Sequence, residues 1–271
     1  GLAPATNNDE CFACSTFAAA CAASASQFSK TADAETAPVG MMFASDASRL
    51  GSFIFAQGGE VFDIAEDAFM YDSEESMAAG AVISEMAKNG CLRMPAERYG
   101  ETSDFGNGVA MMILGSSSGM DYWAAATAEG SGHNWTVVPL PHVTAEPVVN
   151  QFGPDWNVFE STPEEEVASF LWMQHWAGAL AQAYFITQSD YYPANLASLD
   201  MLEAHREAKP QWAAGAQYLP YGKIEASVAA YQNVRRLAGP ALGEIIEGGD
   251  YVTILEDLAI EANEALEESR Q

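Results

Sequence analysis

The chain has 271 residues, of which 49% are hydrophobic, and its 38 acidic residues outnumber 11 lysines and arginines, so the formal net charge is −27. This length and apolar content support a substantial core and exclude collagen-like or wholly disordered chains. The negative charge repels phosphate backbones and anionic membrane surfaces, so we expect no nucleic acid partner. No run approaches the ~18 apolar residues of a membrane helix.

The first predicted elements are indicated by apolar runs and by residues that are typical of helix ends. An alanine-rich stretch from Asn8 to Ser26 begins with polar and acidic residues, which predicts a helix. The apolar run Val39–Ala44 predicts a buried strand. A helix over Ala47–Gln57 is expected to end at Gly58–Gly59, because glycine adopts the left-handed conformation that closes helices.

The next segment predicts a helix, a strand and a second helix. Asp72 and Glu75 have the spacing of a capping box, and the apolar stripe before Gly90 consists of Met77, Val82, Ile83 and Met86. The apolar run Val109–Leu114 predicts a strand. A polar turn then leads into a helix over Met120–Ala128.

The second half is predicted to be mainly helical after two further strands, Trp135–Leu140 and Trp156–Phe159. Thr162, Pro163 and Glu165 form a helix start whose apolar face carries Val167, Phe170, Leu171 and Trp172. Asp250 is expected to cap a last helix with an apolar face formed by Ile254, Leu258, Ile260 and Leu266. Strands that alternate with helices over the first 160 residues indicate an α/β layered fold.

The four cysteines are Cys11, Cys14, Cys21 and Cys91. The spacing of Cys11 and Cys14 is found in redox and zinc motifs, but no second pair follows and the nearest histidine is His133. We therefore expect neither a metal nor a cofactor. The alternatives are small core residues, or a disulfide between Cys91 and one of the other three in an oxidising compartment, with the pairing left open.

The turn Gly115–Gly119 allows three interpretations. It fits the Gly-x-Ser-x-Gly pattern with Ser117 as the nucleophile of a hydrolase, and Asp155 or Asp190 with His205 could complete a triad. Alternatively, the hydroxyls and free N–H groups at the start of a helix hold sugar hydroxyls or a phosphate, with Ser116, Ser117 and Ser118 as the binding residues. A simple polar helix cap is the third interpretation.

Aromatic residues make up 11% of the chain. Tyr191 and Tyr192 stand in a proline-bounded loop and are candidates for stacking on sugar rings. Trp172 and Trp176 lie on the apolar face of a predicted helix, so core packing is the expectation for them.

Four segments in order carry a resemblance to a known family. They are Phe55–Glu60 (FAQGGE), Asp104–Met112 (DFGNGVAMM), Trp135–Pro141 (WTVVPLP) and Ser189–Pro193 (SDYYP). Together they resemble the extracellular solute-binding proteins of bacterial ABC importers, of the sugar or glycerol-3-phosphate-binding type. The resemblance covers only the later part of a family-length protein, so roughly the N-terminal third of such a protein is absent from this sequence.

The resemblance implies an α/β, periplasmic-binding-protein-like (type II) fold of two lobes. Residues 1–150 and 195–271 would form most of the C-terminal lobe, and residues 151–194 would belong to the N-terminal lobe. The apolar face with Phe170, Leu171 and Trp172 should then be exposed unless the missing segment or a second chain covers it.

The family's activity is not enzymatic. Its members capture a small polar solute, here a sugar, oligosaccharide or glycerol-phosphate-like polyol, in the cleft between the lobes and deliver it to ABC permease subunits in the membrane. A neutral solute is favoured slightly over an anionic one. The expected location is periplasmic or extracellular, with any signal or lipid anchor upstream. A serine hydrolase using Ser117 and a surface or assembly subunit without ligand are the alternatives.

Site residues follow from the same resemblance. The loop Phe43–Arg49 supplies ligand contacts in the family, and its polar candidates are Asp46, Ser48 and Arg49. The serine turn Ser116, Ser117 and Ser118 is similar to the ligand-facing turn of glycerol-3-phosphate-type members. The remaining expected ligand-binding residues are Gly153, Tyr192 and Arg235. Trp156 and Pro154–Asp155 depart from the family pattern.

Overall fold

The computed structural model describes residues 38–153 and 156–271. Its strands are β1 (Val39–Met42), β2 (Phe62–Asp63), β3 (Ala68–Phe69), β4 (Leu92–Arg93), β5 (Ala110–Ile113), β6 (Val149–Gln151) and β7 (Gly222–Ile224). Its helices are α1 (Ala47–Ala56), α2 (Glu74–Lys88), α3 (Gly100–Gly106), α4 (Met120–Glu129), α5 (Pro163–Trp176), α6 (Ala179–Ser189), α7 (Glu203–Ala208), α8 (Pro210–Ala216), α9 (Tyr231–Ile246) and α10 (Tyr251–Glu268). The helix predicted over residues 8–26 lies outside the described residues.

A parallel sheet with the order β4–β1–β5 lies at the centre of the first half of the chain. All four residues of β1 are buried, as expected for a central parallel strand covered by helices on its faces. Because β1 and β5 run parallel, the loops after Met42 and Ile113 leave the sheet at the same edge.

The main hydrophobic core lies where α1, α2, α9 and α10 pack together. Leu50 and Ile54 from α1, Ile83 from α2, Leu242 from α9 and Leu255 from α10 are all fully buried. The two C-terminal helices therefore pack against elements that precede them by about 150 to 200 residues in sequence.

Several predicted helix ends are confirmed. Thr162 and Glu165 form the capping box of α5, and the side chain of Asp250 caps α10. Gly58 has φ +87°, a left-handed conformation that favours glycine, and it follows Gln57, the C-cap of α1.

Three helix details differ from the prediction. Ser73, one residue after Asp72, caps α2, because its hydroxyl accepts from the Ser76 N–H at the required spacing. Gly59 is not left-handed, and a Cβ there would lie 2.6 Å from that of Glu75, so close packing requires this glycine. Ile260 is 59% exposed, because it lies on the outer face of α10.

Neither Trp135–Leu140 nor Trp156–Phe159 forms a strand, so both predictions are wrong. Pro139 and Pro141 lack the N–H that a sheet ladder needs. The pairing that does form is between β6 and β7, which run parallel with Asn150 opposite Lys223.

A second, smaller core joins the helices that follow β6 to α4. Its buried residues are Met120, Ala183, Ile186, Leu202, Trp212 and Ala216. By contrast, α5 has no buried residue, and Phe170, Leu171 and Trp172 are 63%, 56% and 52% exposed. The structure confirms the expected exposure of this apolar face.

Cys91 is fully buried beside the central sheet and is disulfide-bonded. This confirms that Cys91 takes part in a disulfide, while Cys11, Cys14 and Cys21 lie outside the described residues. Over the described part of the chain, no helix is long and apolar enough to cross a membrane.

Asn263 on α10 holds the β2–β3 hairpin against the main core. Its side-chain oxygen accepts from the Phe69 N–H at 2.9 Å, and its side-chain nitrogen donates to the Phe69 carbonyl at 3.1 Å. We expect Asn263→Ala to lower the free energy of unfolding by about 2 kcal/mol, because both backbone groups lose their partner. Urea unfolding measures the change. Asn233→Ala, at an exposed position on α9, is the control, and equal losses in both variants would contradict the role of Asn263.

Candidate functional site

A cleft of about 1240 Å³ opens at the sheet edge where β1 and β5 end. The loops after these strands form one wall, α5, α6 and the loop after α6 form the other, and β6 with β7 lies between them. Eight of the nine predicted ligand-binding residues line this cleft: Asp46, Ser48, Arg49, Ser116, Ser117, Gly153, Tyr192 and Arg235.

Ser118 is the predicted residue that does not line the cleft. Its hydroxyl donates to Ser116 Oγ at 3.1 Å, and Ser116 Oγ also caps the short 3-10 turn at Ser117–Gly119. The serine turn therefore presents Ser116 and Ser117 to the cleft, with Ser118 supporting Ser116 from behind.

The geometry gives no support to a Ser117 nucleophile. His205 Nε2 and Asp190 Oδ1 lie 3.1 Å apart, without hydrogen-bond alignment, and the His205 ring packs edge-on against Trp212 at 4.9 Å. Among the hydrogen bonds of residues 38–153 and 156–271, none joins Ser117 to a histidine. A general base must be within hydrogen-bond reach of its nucleophile.

Arg49 is held at the end of β1 by three different groups. Its guanidinium contacts the Asp46 carboxylate and lies 3.7 Å from Glu101 Oε1, and its Nε donates to the Leu114 carbonyl at 2.9 Å. Asp46 also caps α1 by accepting from the Arg49 N–H at 2.9 Å. The N-cap thus sets the position of the arginine in the cleft.

A second polar network lies at the β6–β7 pair. Glu225 is almost fully buried and accepts from Asn150 Nδ2 at 2.7 Å, from the Tyr231 hydroxyl at 2.8 Å and from Arg235. Asn150 also donates to the Ser48 carbonyl at 2.9 Å, which ties β6 to α1. Burial, with the nearby Tyr71 and Glu225, raises the pKa of Tyr231, so its hydroxyl stays a donor.

Two buried polar atoms on residues that line the cleft have no hydrogen-bond partner within the described structure. They are Ser48 Oγ and Asn150 Oδ1. Buried polar groups in folded proteins are nearly always paired, so an unpaired hydroxyl and amide oxygen beside a cleft suit the hydroxyl groups of a ligand. Sequence reasoning missed Asn150 because β6 itself was not predicted.

Aromatic rings line the opposite wall. The rings of Trp156 and Trp176 are 6.2 Å apart, Trp176 and Phe185 are 5.4 Å apart, and Phe185 and Tyr191 are 5.8 Å apart. All four residues line the cleft. Trp172, stacked on Trp176 at 6.0 Å, is 52% exposed, and Trp176 is only partly buried. The core packing expected from the helix pattern is therefore wrong for both, whereas the exposure of Trp172 implied by the resemblance is confirmed. The core that they would join is not formed by the described residues.

Tyr192 is fixed by a close contact with α8. Its hydroxyl donates to the Trp212 carbonyl at 3.1 Å, and a Cβ on Gly215 would lie 1.9 Å from that hydroxyl. Burial, with the Asp190 charge adding to it, raises the pKa of Tyr192. Glycine at position 215 is therefore required for the ring to reach this place.

Asp190 anchors the loop that carries both tyrosines. It ends α6 with φ +56°, its side chain is 3% exposed, and Lys209 contacts its carboxylate while also donating to Asp121 Oδ1 at 2.7 Å. Burial raises the pKa of Asp190 against the opposing effect of Lys209. The charged form of the buried Asp190 carboxylate therefore depends strongly on the neighbouring Lys209.

A mainly apolar cleft with a few convergent polar groups at the carboxyl edge of parallel strands is typical of a small-molecule binding protein. The sequence matches the family of bacterial extracellular solute-binding proteins over residues 2–217. The chain therefore belongs to this family. No curated protein matches the chain significantly.

Solved structures share this fold at low identity. The sugar-binding protein MalE from Xanthomonas citri matches with a TM-score of 0.73 and 15% identity, over 88% of this chain and 60% of that chain. The cyclic α-maltosyl-1,6-maltose binding protein from Arthrobacter globiformis matches with 0.74 and 15%, over 94% and 64%. UgpB from Mycobacterium tuberculosis, solved with glycerophosphocholine, matches with 0.65 and 15%, over 86% and 60%.

These matches confirm the predicted α/β, periplasmic-binding-protein-like fold class. The chain spans 60–64% of the length of these three solved proteins.

We expect Lys209→Met to lower the free energy of unfolding by about 2–3 kcal/mol at pH 7, because it leaves the buried Asp190 charge without its cation. A carboxyl whose pKa is raised by folding destabilises the protein only while it is charged, so the deficit should shrink as the pH falls towards 4. Chemical denaturation at several pH values measures this. Lys88→Met, at an exposed helix position, is the control, and a deficit independent of pH would contradict the pairing.

Proposed function

We propose that this chain is the substrate-binding component of an ABC importer and captures a sugar or polyol-type solute in the cleft. The observation that carries the proposal is the convergence of eight predicted ligand-binding residues on one cleft in a chain of the solute-binding family. The solute would be bound and released unchanged to permease subunits, so the proposed role is not enzymatic.

The chemistry of the two walls supports a polyhydroxyl solute. Sugar rings present apolar faces that stack on aromatic side chains, and Trp156, Trp176 and Tyr191 provide such surfaces. Sugar hydroxyls need paired donors and acceptors, which Ser116 and Ser117 offer on the other wall and the Asn150 side chain offers between the walls.

The lobe assignment is part of the proposal. Residues 1–150 and 195–271 would belong to one lobe and residues 151–194 to the other, and the side-by-side pairing of β6 and β7 supports a crossing near residue 151. A further segment or a second chain that covers the exposed face of α5 is also proposed, supported by the apolar side chains exposed there. A periplasmic or cell-surface location is proposed from the extracellular family.

A calorimetric titration of the chain with maltose, maltotriose, ribitol and glycerophosphocholine tests the proposal. Saturable binding of at least one of these solutes, with a change in tryptophan fluorescence from the aromatic wall, is the expected result. Absence of binding together with turnover of an ester substrate, lost in Ser117→Ala, would overturn it in favour of a hydrolase.

We expect Ser117→Ala to weaken binding of the solute found in that titration by about fivefold to tenfold, because one hydrogen bond to the ligand is lost. The dissociation constant from calorimetry measures the effect. Ser103→Ala removes an exposed hydroxyl of α3 outside the cleft and should leave binding unchanged. An unaltered affinity in Ser117→Ala would remove the serine turn from the site.

A further inference from the structure

Charged side chains are scarce in the cleft. Within residues 38–153 and 156–271, those that line it are Asp46, Arg49 and Arg235. The two arginines are thus the cations there that could meet a phosphate or carboxylate on a ligand. Whether they can do so depends on what each guanidinium already contacts.

Arg235 is already neutralised by Glu225. The Glu225 side chain is 6% exposed, and its Oε2 accepts from both Arg235 and the Tyr231 hydroxyl. Asn150 donates to Oε1, so the carboxylate is held from both sides. The Arg235 guanidinium also lies over the Tyr231 ring, 5.6 Å from its centre. A buried carboxylate in this position cannot swing away to free the arginine.

Arg49 is neutralised in the same manner. It contacts Asp46, has Glu101 Oε1 at 3.7 Å, and gives its Nε to the Leu114 carbonyl. Glu101 is 6% exposed, so its charge is buried beside the arginine. The carboxylates of Asp46, Glu101 and Glu225 therefore lie around Arg49 and Arg235. The five side chains together carry a net negative charge.

We propose that Glu225, together with Asp46 and Glu101, determines the specificity of the cleft and restricts it to uncharged polyhydroxyl solutes. An anionic solute would have to compete with a fixed carboxylate for each arginine, and that carboxylate would repel it. An uncharged solute meets the polar side chains of Asn150, Ser116 and Ser117 without having to compete with a carboxylate. This inference rests on the proposed function and specifies its substrate class.

The test compares one uncharged and one anionic probe on wild type and Glu225→Gln. Calorimetry with maltotriose and with glycerol 3-phosphate gives the dissociation constants. Wild type should bind maltotriose and show no saturable binding of glycerol 3-phosphate. Glu225→Gln should gain affinity for glycerol 3-phosphate by about tenfold or more, because the Arg235 charge becomes available to the phosphate.

Two variants make the result specific. Glu225→Gln/Arg235→Gln should lose the gain, since it removes the cation while keeping an uncharged network. Asp67→Asn frees Arg270 from its exposed ion pair outside the cleft, so it matches the change in charge and should not create an anion site. Thermal unfolding of each variant establishes that it is folded, and the gain in Glu225→Gln cannot arise from an unfolded chain.

The outcomes separate the inference from the proposed function. Tighter binding of glycerol 3-phosphate than of maltotriose by wild type would overturn the inference while supporting a solute-binding role. A folded Glu225→Gln without any gain for glycerol 3-phosphate would also overturn the inference. If wild type binds no solute of either class, the proposed function fails, and the Glu225→Gln gain still reports whether that carboxylate blocks Arg235.

Discussion

Parallel pairing of β1 with β4 and β5 is the constraint on which the site depends. Parallel strands end at the same edge, so the segment after β1, with Asp46 at the N-cap and Arg49 in the first turn of α1, lies beside the serine turn after β5, although the two are about 70 residues apart. Met41 of β1 and Leu92 of β4 pack into the core that the helices α1, α2, α9 and α10 form. The cleft lies at this edge of the sheet, and the segments that follow the strands supply many of the side chains that line it.

The β6–β7 pair adds a second link of the same kind. It brings Asn150 and Glu225 together across 75 residues, and Asn150 then reaches the Ser48 carbonyl at the start of α1. The amide side chain of Asn150 therefore links the β6–β7 pair, in the middle of the cleft, to the start of α1. Buried hydrogen bonds to a carboxylate hold their partners in place more firmly than neutral ones, so this junction is well suited to position Arg235.

The acidic surface and the acidic surroundings of the arginines have separate physical roles. A net charge of −27 acts at long range and is screened by salt within about 10 Å at moderate ionic strength. The contacts of Glu225 with Arg235 and of Asp46 with Arg49 act within hydrogen-bond range, where little water intervenes. The net charge disfavours anionic partners in general, and the short-range contacts are the basis of the proposed preference for uncharged solutes.

Local signals in the sequence predicted several helix ends, the strands β1 and β5 and the serine turn, whereas most other candidate site residues came from the family resemblance. The Thr162–Glu165 capping box, the turn at Gly58 and the serine turn depend on neighbouring residues, so they can be read without knowledge of the fold. Only tertiary structure decided that β6 pairs with β7, that Asn150 and Glu225 meet, and that Trp176 is only partly buried. These features depend on partners distant in sequence, and an apolar helix face looks the same in a sequence whether or not another element covers it.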